Sequence, residues 1–150
     1  MSADYPSMTT AEIRSKFLNF FEERGLKLYP SSSLVPDDPS LLLANAGMNQ
    51  FKEYYQGKKT MKEIGAISCQ KCVRTNDIDC IGEDGRHLSF FEMLGDFSFG
   101  GVSKQQACAW AFELITKEFK LPLDRLYFTV FTEDDETHDV WRYLGVAEDH

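Results

Sequence analysis

The chain has 150 residues, of which 43% are hydrophobic, 13% aromatic and 27% charged, a composition that predicts a packed globular domain and excludes a disordered chain. Its 16 basic and 24 acidic residues give a net charge of −8. This acidic balance argues against sequence-blind binding along a polyphosphate backbone, but it leaves room for a local basic site that binds a nucleotide or one part of an RNA.

The sequence lacks the features of a secretory signal and of a membrane span. Its N-terminus, MSADYPSMTTAEIRSKF, has no cationic region followed by an apolar one. The longest apolar stretch, SLLLANAGM, is far shorter than the roughly 20 residues of a spanning helix. Four cysteines without a signal indicate reduced thiols. We therefore expect a cytoplasmic α/β protein that does not associate with a membrane.

The first elements along the chain are a helix, a short strand and a long loop. Thr9 and Glu12 have the spacing of a capping box, apolar residues follow at helical spacing, and Gly25 is placed to end the helix. The segment LKLYP is predicted as a short strand that ends at Pro30. SSSLVPDDPS is predicted as a loop, and LLLANAGMNQFKEYYQG as a buried run followed by a short helix.

A β-hairpin is predicted in the middle of the chain. Its two strands are AISCQKCVRT (66–75) and HLSFFEML (87–94), joined by a loop with turn residues from Gly82 to Gly85.

The C-terminal part is predicted to contain two helices separated by a strand. Ser103 caps a long helix through KQQACAWAFELITKEF. RLYFTVFT (125–132) is the clearest strand candidate, because it is dense in aromatic and β-branched residues. DDETHDVWRYLG is predicted as a short helix that is capped near Asp134 and ends at Gly145. The apolar face of the long helix is predicted to consist of Ala107, Trp110, Ala111, Leu114 and Ile115, with Cys108 in the core.

The hairpin carries residues suited to an adenine nucleotide. Arg74 stands at the end of the first strand, and its planar, permanently charged guanidinium suits a phosphate. Phe90 and Phe91 point to opposite faces of a strand, so we expect one in the core and the other free to stack on a base. Glu92, or the backbone beside it, offers an acceptor for an exocyclic amine. The alternative interpretation is that these residues serve only packing.

The cysteines near the hairpin allow a second interpretation. Cys69, Cys72, Cys80 and His87 have a spacing that can be written as a Cys3His zinc site. Positions 69 and 72 of one strand face opposite sides, which favours structural thiols. An unrelated α/β domain whose CxxC pair binds metal or performs redox chemistry remains an alternative.

The stretch CVRTNDI followed by GRHLSFFEMLGDFSFG resembles motif 2 of the class II aminoacyl-tRNA synthetases in their alanyl-tRNA synthetase form. TAEIRSKFLNFFEERG, SSSLVPDDPSLLLANAGMNQFK and LYFTVFTEDDE are similar to that family in the same order. The resemblance implies an α+β fold with a six- to seven-stranded antiparallel sheet flanked by helices, incomplete in this chain. Residues 1–8 would be a loose tail, and residues 9–150 the N-terminal portion of the catalytic domain with motifs 1 and 2.

The resemblance also implies an alanine–tRNA ligase reaction and its site. The alanine carboxylate attacks the α-phosphate of ATP, and the acyl group then passes to the terminal ribose of tRNA(Ala). Arg74 would be the catalytic residue that holds the α-phosphate, and His87 would lie near the β- and γ-phosphates. One of Phe90 and Phe91 would stack on adenine, with Glu92 beside it.

Further partners follow from the same resemblance. Asn76 and Asp77 would shape the loop that meets the acceptor end of tRNA. Mg²⁺ would accompany ATP, whereas a zinc site would be possible only in a region after residue 150. Motif 1, in the N-terminal helix and RGLKLYP, is often a dimer interface in this family, so a homo-oligomer is a further expectation. Leu88 follows His87 where many members carry a second His.

The family's motif 3 arginine, alanine-selecting residues and editing domain would all lie after residue 150. We therefore expect no aminoacylation by the 150-residue chain alone, an expectation that alanine-dependent ATP–pyrophosphate exchange by this chain would contradict. The alternative function is a stand-alone non-catalytic paralogue that acts as a nucleotide- or partner-binding module.

Overall fold

The structure is a computed structural model that describes residues 7–75 and 78–150. It combines helices with one small three-stranded sheet, as expected of a partial class II α+β fold. The chain divides into two compact units. One unit is Leu18–Gly101, and the other combines the chain up to Phe17 with Val102–His150. In the part of the chain that the structure describes, no helix is both long and apolar enough to cross a membrane.

Helix α1, Thr10–Glu22, begins and ends as its sequence predicts. The backbone N–H of Thr9 donates to Glu12 Oε2 at 2.7 Å, and the N–H of Glu12 donates to Thr9 Oγ1 at 3.3 Å. These two bonds are the reciprocal capping box. At the other end Gly25 has φ +86°, within a Schellman turn that satisfies the last carbonyl groups of the helix.

The sheet consists of β1 (Lys27–Leu28), β2 (Gly65–Val73) and β3 (Phe90–Ser98), in the spatial order β1-β2-β3. Strand β1 pairs with β2 in parallel, and β2 pairs with β3 in antiparallel orientation. The predicted hairpin is confirmed, although its second strand starts and ends later than predicted. The described residues thus form three strands with one parallel pair, instead of the six to seven antiparallel strands implied by the resemblance.

The loop after β1 continues along the free edge of β2. The backbone N–H of Tyr29 donates to Ile67 O at 2.9 Å, and the N–H of Val73 donates to Ala44 O at 2.9 Å. We call residues 44–49, where this loop crosses the end of the sheet, the cover loop. The apolar run that starts at Leu41 was predicted to be buried, but only part of it is. Ala44 is buried, whereas Leu42 is 93% exposed.

Aromatic packing holds the cover loop against one face of the sheet. A 3-10 turn, Asn49–Phe51, leads into the short helix α2, Lys52–Tyr55. Phe51 is 1% exposed, and its ring centroid lies 4.8 Å from that of Phe97 in β3. The Phe97 ring in turn folds over Gly95, where a Cβ would approach the ring to 2.6 Å. The absence of a side chain at position 95 therefore allows this ring to lie flat on the sheet.

In the second unit, helix α3 (Lys104–Glu113) starts as predicted, with the N–H of Gln106 donating to Ser103 Oγ at 3.2 Å. It is shorter than predicted, because residues Leu114–Glu118 form a π-helical segment.

The apolar face predicted for α3 is partly wrong. Ala107 and Ala111 are exposed, whereas Cys108 and Leu114 are buried. Because a methyl side chain gains little from burial, the alanines at positions 107 and 111 do little to hold this face inward. The prediction of Cys108 as a core residue is confirmed.

Helix α4, Asp135–Tyr143, is capped by the Asp134 carboxylate, which accepts from the N–H of Thr137 at 3.1 Å. Gly145 has φ +93° and follows the end of the helix. Both termini were predicted.

The strand predicted over residues 125–132 is wrong. Leu123–Arg125 form a 3-10 turn, and the extended residues after it pair with no strand among those the structure describes. Local bonds satisfy part of this backbone, since the N–H of Phe128 donates to His150 O at 2.6 Å. The Phe128 ring packs 4.8 Å from Trp141. A β-rich composition indicates fit to a pleated surface, but a strand forms only beside a partner strand.

Candidate functional site

Two of the predicted nucleotide-binding residues meet at the end of the β2–β3 hairpin. Arg74 follows β2 directly, and its backbone N–H donates to Ser89 O at 2.9 Å, which extends the antiparallel pairing by one step. Phe91 lies opposite Cys72 in the pairing register. The guanidinium carbon of Arg74 lies 5.4 Å from the Phe91 ring centroid, within the range of a cation–π contact. Both side chains are only partly buried, so a ligand can reach them.

The guanidinium of Arg74 is also oriented by the cover loop. Its Nε–H donates to the backbone carbonyl oxygen of Asn45 at 3.1 Å. This bond uses one of the five guanidinium N–H donors, and the other four belong to the two terminal nitrogens. The geometry suits paired bonds from the end of the side chain to an oxyanion such as a phosphate.

Phe90 and Glu92 lie on the opposite face of the sheet from Arg74. Side chains alternate along a strand, and the register sets Phe90 opposite Val73 and Glu92 opposite Lys71. The structure therefore brings Arg74 together with Phe91, and not with Phe90 or Glu92.

The expectation that one phenylalanine enters the core is wrong. Phe90 is 52% exposed, and Phe91 is only partly buried. The physical reason is their position, because β3 has a partner strand on one side only among the described residues, and Phe90 and Phe91 begin this strand.

His87 lies in the loop between the strands, where Asp84 holds it. The His87 Nδ1 atom is 2.6 Å from Asp84 Oδ2, while Asp84 Oδ1 accepts the backbone N–H groups of Arg86 at 2.9 Å and His87 at 3.0 Å. The two backbone bonds and then the ring bond lower the pKa of Asp84 to about 2. Gly82 and Gly85 have φ +88° and +66°, which confirms the predicted turn residues.

Asn76 and Asp77, the residues predicted to meet tRNA, lie outside the described residues. Their role remains a prediction.

The cysteines near the hairpin have the features of packed thiols. Cys72 is fully buried, its Sγ lies 3.6 Å from Gln70 O, and burial raises the pKa of its thiol. Metal binding requires the thiolate, which a raised pKa disfavours. Cys69 is partly exposed on the other face of β2, and Cys80 is exposed in a 3-10 turn. Across residues 7–75 and 78–150, no three His, Cys, Asp or Glu side chains are grouped so that they could hold a metal ion.

Two polar residues that the sequence patterns did not single out hold the cover loop and the loop before it. Gln70 is fully buried within β2, and its Oε1 accepts from the backbone N–H of Ser32 at 2.8 Å and from Gln50 Nε2 at 3.1 Å. Asn49 Oδ1 accepts from two backbone amides of the cover loop. One signal was available for Gln70, since an amide at an inward-facing strand position implies a buried polar network.

Residues 12–150 match the family model described as tRNA synthetases class II (A). The chain is also similar to curated proteins named alanine–tRNA ligase. It is 50% identical over 141 residues to one from Fervidobacterium nodosum, which covers 94% of this chain and 16% of that protein. It is 51% identical over 142 residues to one from Synechocystis sp., with coverage of 95% and 16%.

A third relative is the chloroplastic/mitochondrial alanine–tRNA ligase of Sorghum bicolor. It is 54% identical over 138 residues, which are 91% of this chain and 14% of that protein. The chain thus spans between 14% and 16% of the length of these three relatives.

Proposed function

The chain belongs to the class II (A) tRNA synthetases, and from this premise we propose that it forms the ATP-binding part of an alanine–tRNA ligase. In this proposal the enzyme joins alanine to AMP with release of pyrophosphate, and then transfers the alanyl group to tRNA(Ala). The observation that carries the proposal is the contact between Arg74 and Phe91, which sets a phosphate-binding cation beside an aromatic ring on one face of the sheet.

Arg74 binds the α-phosphate of ATP through its terminal nitrogens in this proposal. Negative charge grows on the phosphate oxygens when the alanine carboxylate attacks, and a fixed guanidinium stabilises that charge more in the transition state than in the ground state. The bond from Nε to Asn45 O supports this role, because it holds the guanidinium before ATP arrives. Little proton transfer is required, so positioning and electrostatic stabilisation supply the catalysis.

The remaining nucleotide contacts follow from the faces of the sheet. We assign the adenine stack to Phe91, because it shares a face with Arg74, and not to Phe90. Glu92 lies on the other face, so an adenine contact in this region falls to backbone groups. His87 is assigned to the β- and γ-phosphates, with its ring held by Asp84.

Other partners are part of the same proposal. Mg²⁺ enters as part of the ATP substrate, where it neutralises phosphate charge, and no residue of this chain is assigned to it. Asn76 and Asp77 are assigned to the acceptor end of tRNA(Ala). Cytoplasmic location and assembly into a homo-oligomer are likewise proposed.

The direct test uses the native polypeptide that contains this chain. Arg74→Ala should lower the rate of alanine-dependent ATP–pyrophosphate exchange by about a hundredfold or more. Lys71→Ala is the matched control, since it removes a cation from the same strand on the opposite face and should leave the rate within about twofold. Retention of more than half the activity by Arg74→Ala would contradict the proposal.

The mass of the native polypeptide separates the enzyme from the stand-alone module. Detection through the peptide HLSFFEMLGDFSFGGVSK should give a species several times heavier than the 17.2 kDa of this chain. A native species of 17.2 kDa would support the module instead. Fractionation of the same cells would show whether the species is cytoplasmic.

A further inference from the structure

We propose that Asn49 is a positioning residue for Arg74, which it controls through the backbone of the cover loop. The inference rests on the proposed function of Arg74 and adds a residue to it. Asn49 touches neither Arg74 nor a substrate in this proposal. It acts by fixing the peptide group whose carbonyl oxygen holds the Arg74 guanidinium.

The side chain of Asn49 binds the peptide groups on both sides of residue Asn45. Its Oδ1 atom accepts from the backbone N–H of Asn45 at 3.1 Å and from that of Ala46 at 2.8 Å. The Ala46 N–H and the Asn45 carbonyl belong to one planar peptide group. A bond that fixes the N–H therefore fixes the direction of the carbonyl, and this carbonyl accepts from Arg74 Nε at 3.1 Å.

Asn49 itself stands on a rigid base. It is the first residue of the 3-10 turn Asn49–Phe51, and Phe51 at the other end of the turn is 1% exposed. The Phe51 ring packs against Phe97 in β3. The position of the Asn49 amide is thus set by the core of the Leu18–Gly101 unit.

The rest of the cover loop is attached to the sheet at two other points. Ala44 O accepts from the N–H of Val73 at 2.9 Å, and the N–H of Gly47 lies 3.2 Å from the Met93 sulfur. A Cβ at Gly47 would come within 3.2 Å of the Phe97 ring, so the loop lies close on the sheet. These contacts fix positions 44 and 47 but not the rotation of the peptide between Asn45 and Ala46. Besides the Arg74 bond itself, the contact in the described chain that performs this task is the bond that Asn49 Oδ1 accepts from the Ala46 N–H.

The consequence for Arg74 is orientational. A guanidinium can rotate about its last side-chain bonds, and a bond from Nε to a fixed carbonyl selects one orientation of its plane. Without Asn49 the Asn45 carbonyl can turn away, and the terminal nitrogens lose their alignment. A misplacement of about 1 Å in a catalytic group can cost about a hundredfold in rate. The effect should fall on kcat more than on the KM for ATP, because alignment matters most in the transition state.

The competing interpretation is that Asn49 only stabilises a loop, as Asn side chains often do. Both interpretations predict loss of stability on substitution. Only the positioning role predicts that the effect of Asn49 depends on the side chain at position 74, and a double-mutant cycle measures that dependence.

The experiment combines Asn49→Ala with Arg74→Lys in the native polypeptide, with alanine-dependent ATP–pyrophosphate exchange as the assay. Lysine keeps a cation but lacks the N–H at the ε position that Asn45 binds. Asn49→Ala should lower kcat by about tenfold when residue 74 is arginine, and by less than about twofold when it is lysine. Asn49→Asp, which keeps an oxygen acceptor for both amides, should restore kcat to within about threefold of the parent protein.

Three results would overturn the inference. Equal losses from Asn49→Ala in both backgrounds would assign Asn49 a purely structural role, and so would failure of Asn49→Asp to restore the rate. Full activity of Arg74→Ala would instead remove the proposed function of Arg74 and the positioning role with it. If Asn49→Ala does not accumulate as soluble protein, Asn49→Ser replaces it in the cycle, because its shorter hydroxyl reaches at most one of the two amides.

Discussion

The substitution Gln70→Leu should loosen the loop that follows β1. The Gln70 side chain is fully buried and binds Ser32 in the manner of a strand pair: its Oε1 accepts from the backbone N–H at 2.8 Å, and its Nε2 donates to the backbone oxygen at 3.2 Å. It also accepts from the Ser32 hydroxyl and from Gln50, and donates to Lys71 O. Leucine has a similar volume and makes none of these bonds.

The change in the free energy of loop opening depends on which of the lost hydrogen bonds water can replace. Lost bonds to the Ser32 hydroxyl and to Gln50 cost little, because these groups are near the surface and can be hydrated. In the closed loop the backbone N–H and carbonyl of Ser32 would each lose their partner at a cost of about 1.5 kcal/mol, and the apolar gain from burying leucine offsets about 1 kcal/mol of that. We therefore expect local opening of the loop at residues 30–36 to become easier by about 2 kcal/mol.

Hydrogen exchange read by mass spectrometry tests this value directly. An opening free energy lower by about 2 kcal/mol corresponds to exchange about 30-fold faster in peptides that contain residues 30–36. Gln56→Leu replaces an exposed glutamine of the same unit and should leave these peptides unchanged. An acceleration of less than about threefold by Gln70→Leu would contradict this expectation.

Three further predictions concern the hairpin. Phe91→Ala should weaken ATP binding by about tenfold or more, as expected for loss of a base stack, whereas Phe90→Ala should change the measured dissociation constant less than twofold. The pKa of Asp84 is lowered to about 2, whereas its usual value is about 4. The ionised Asp84 carboxylate therefore orders the loop fully above about pH 4, and this contribution is lost as the pH falls through about 2. The NMR signal of the His87 ring should accordingly shift between about pH 4 and 2, and Asp84→Asn should abolish this acid shift. Gly65→Ala should destabilise the chain by about 1–3 kcal/mol or more in urea titrations, because the new Cβ would lie 2.4 Å from a backbone oxygen of β3.

Features determined by a few neighbouring residues could be predicted from the sequence. The capping bonds of Thr9 and Asp134 join groups that are three residues apart in the sequence, and the absence of a Cβ allows the positive φ of Gly25 and Gly145. The same holds for the hairpin itself, whose strands are close in sequence.

Features that depend on distant partners could not be predicted. The aromatic and β-branched residues of RLYFTVFT fit a pleated surface, yet no partner strand forms beside them within the described ranges. The register of β3 against β2 decides which of Phe90 and Phe91 shares a face with Arg74, and it sets Phe91 there. The roles of Asn49 and Gln70 required the path of a loop that crosses the sheet, and no local pattern in the sequence encodes that path.

The outer edge of β3 has a consequence for the chain while it is being synthesised. The spatial order β1-β2-β3 leaves this edge without a partner strand in the part of the chain that the structure describes. Hairpins close within about 10 μs, whereas a ribosome needs roughly 3–10 s to add the next fifty or so residues. Throughout those seconds, the nine-residue edge of β3 is open to neighbouring nascent chains. Glu92 is an acidic residue of this strand, and like charges on two such edges repel.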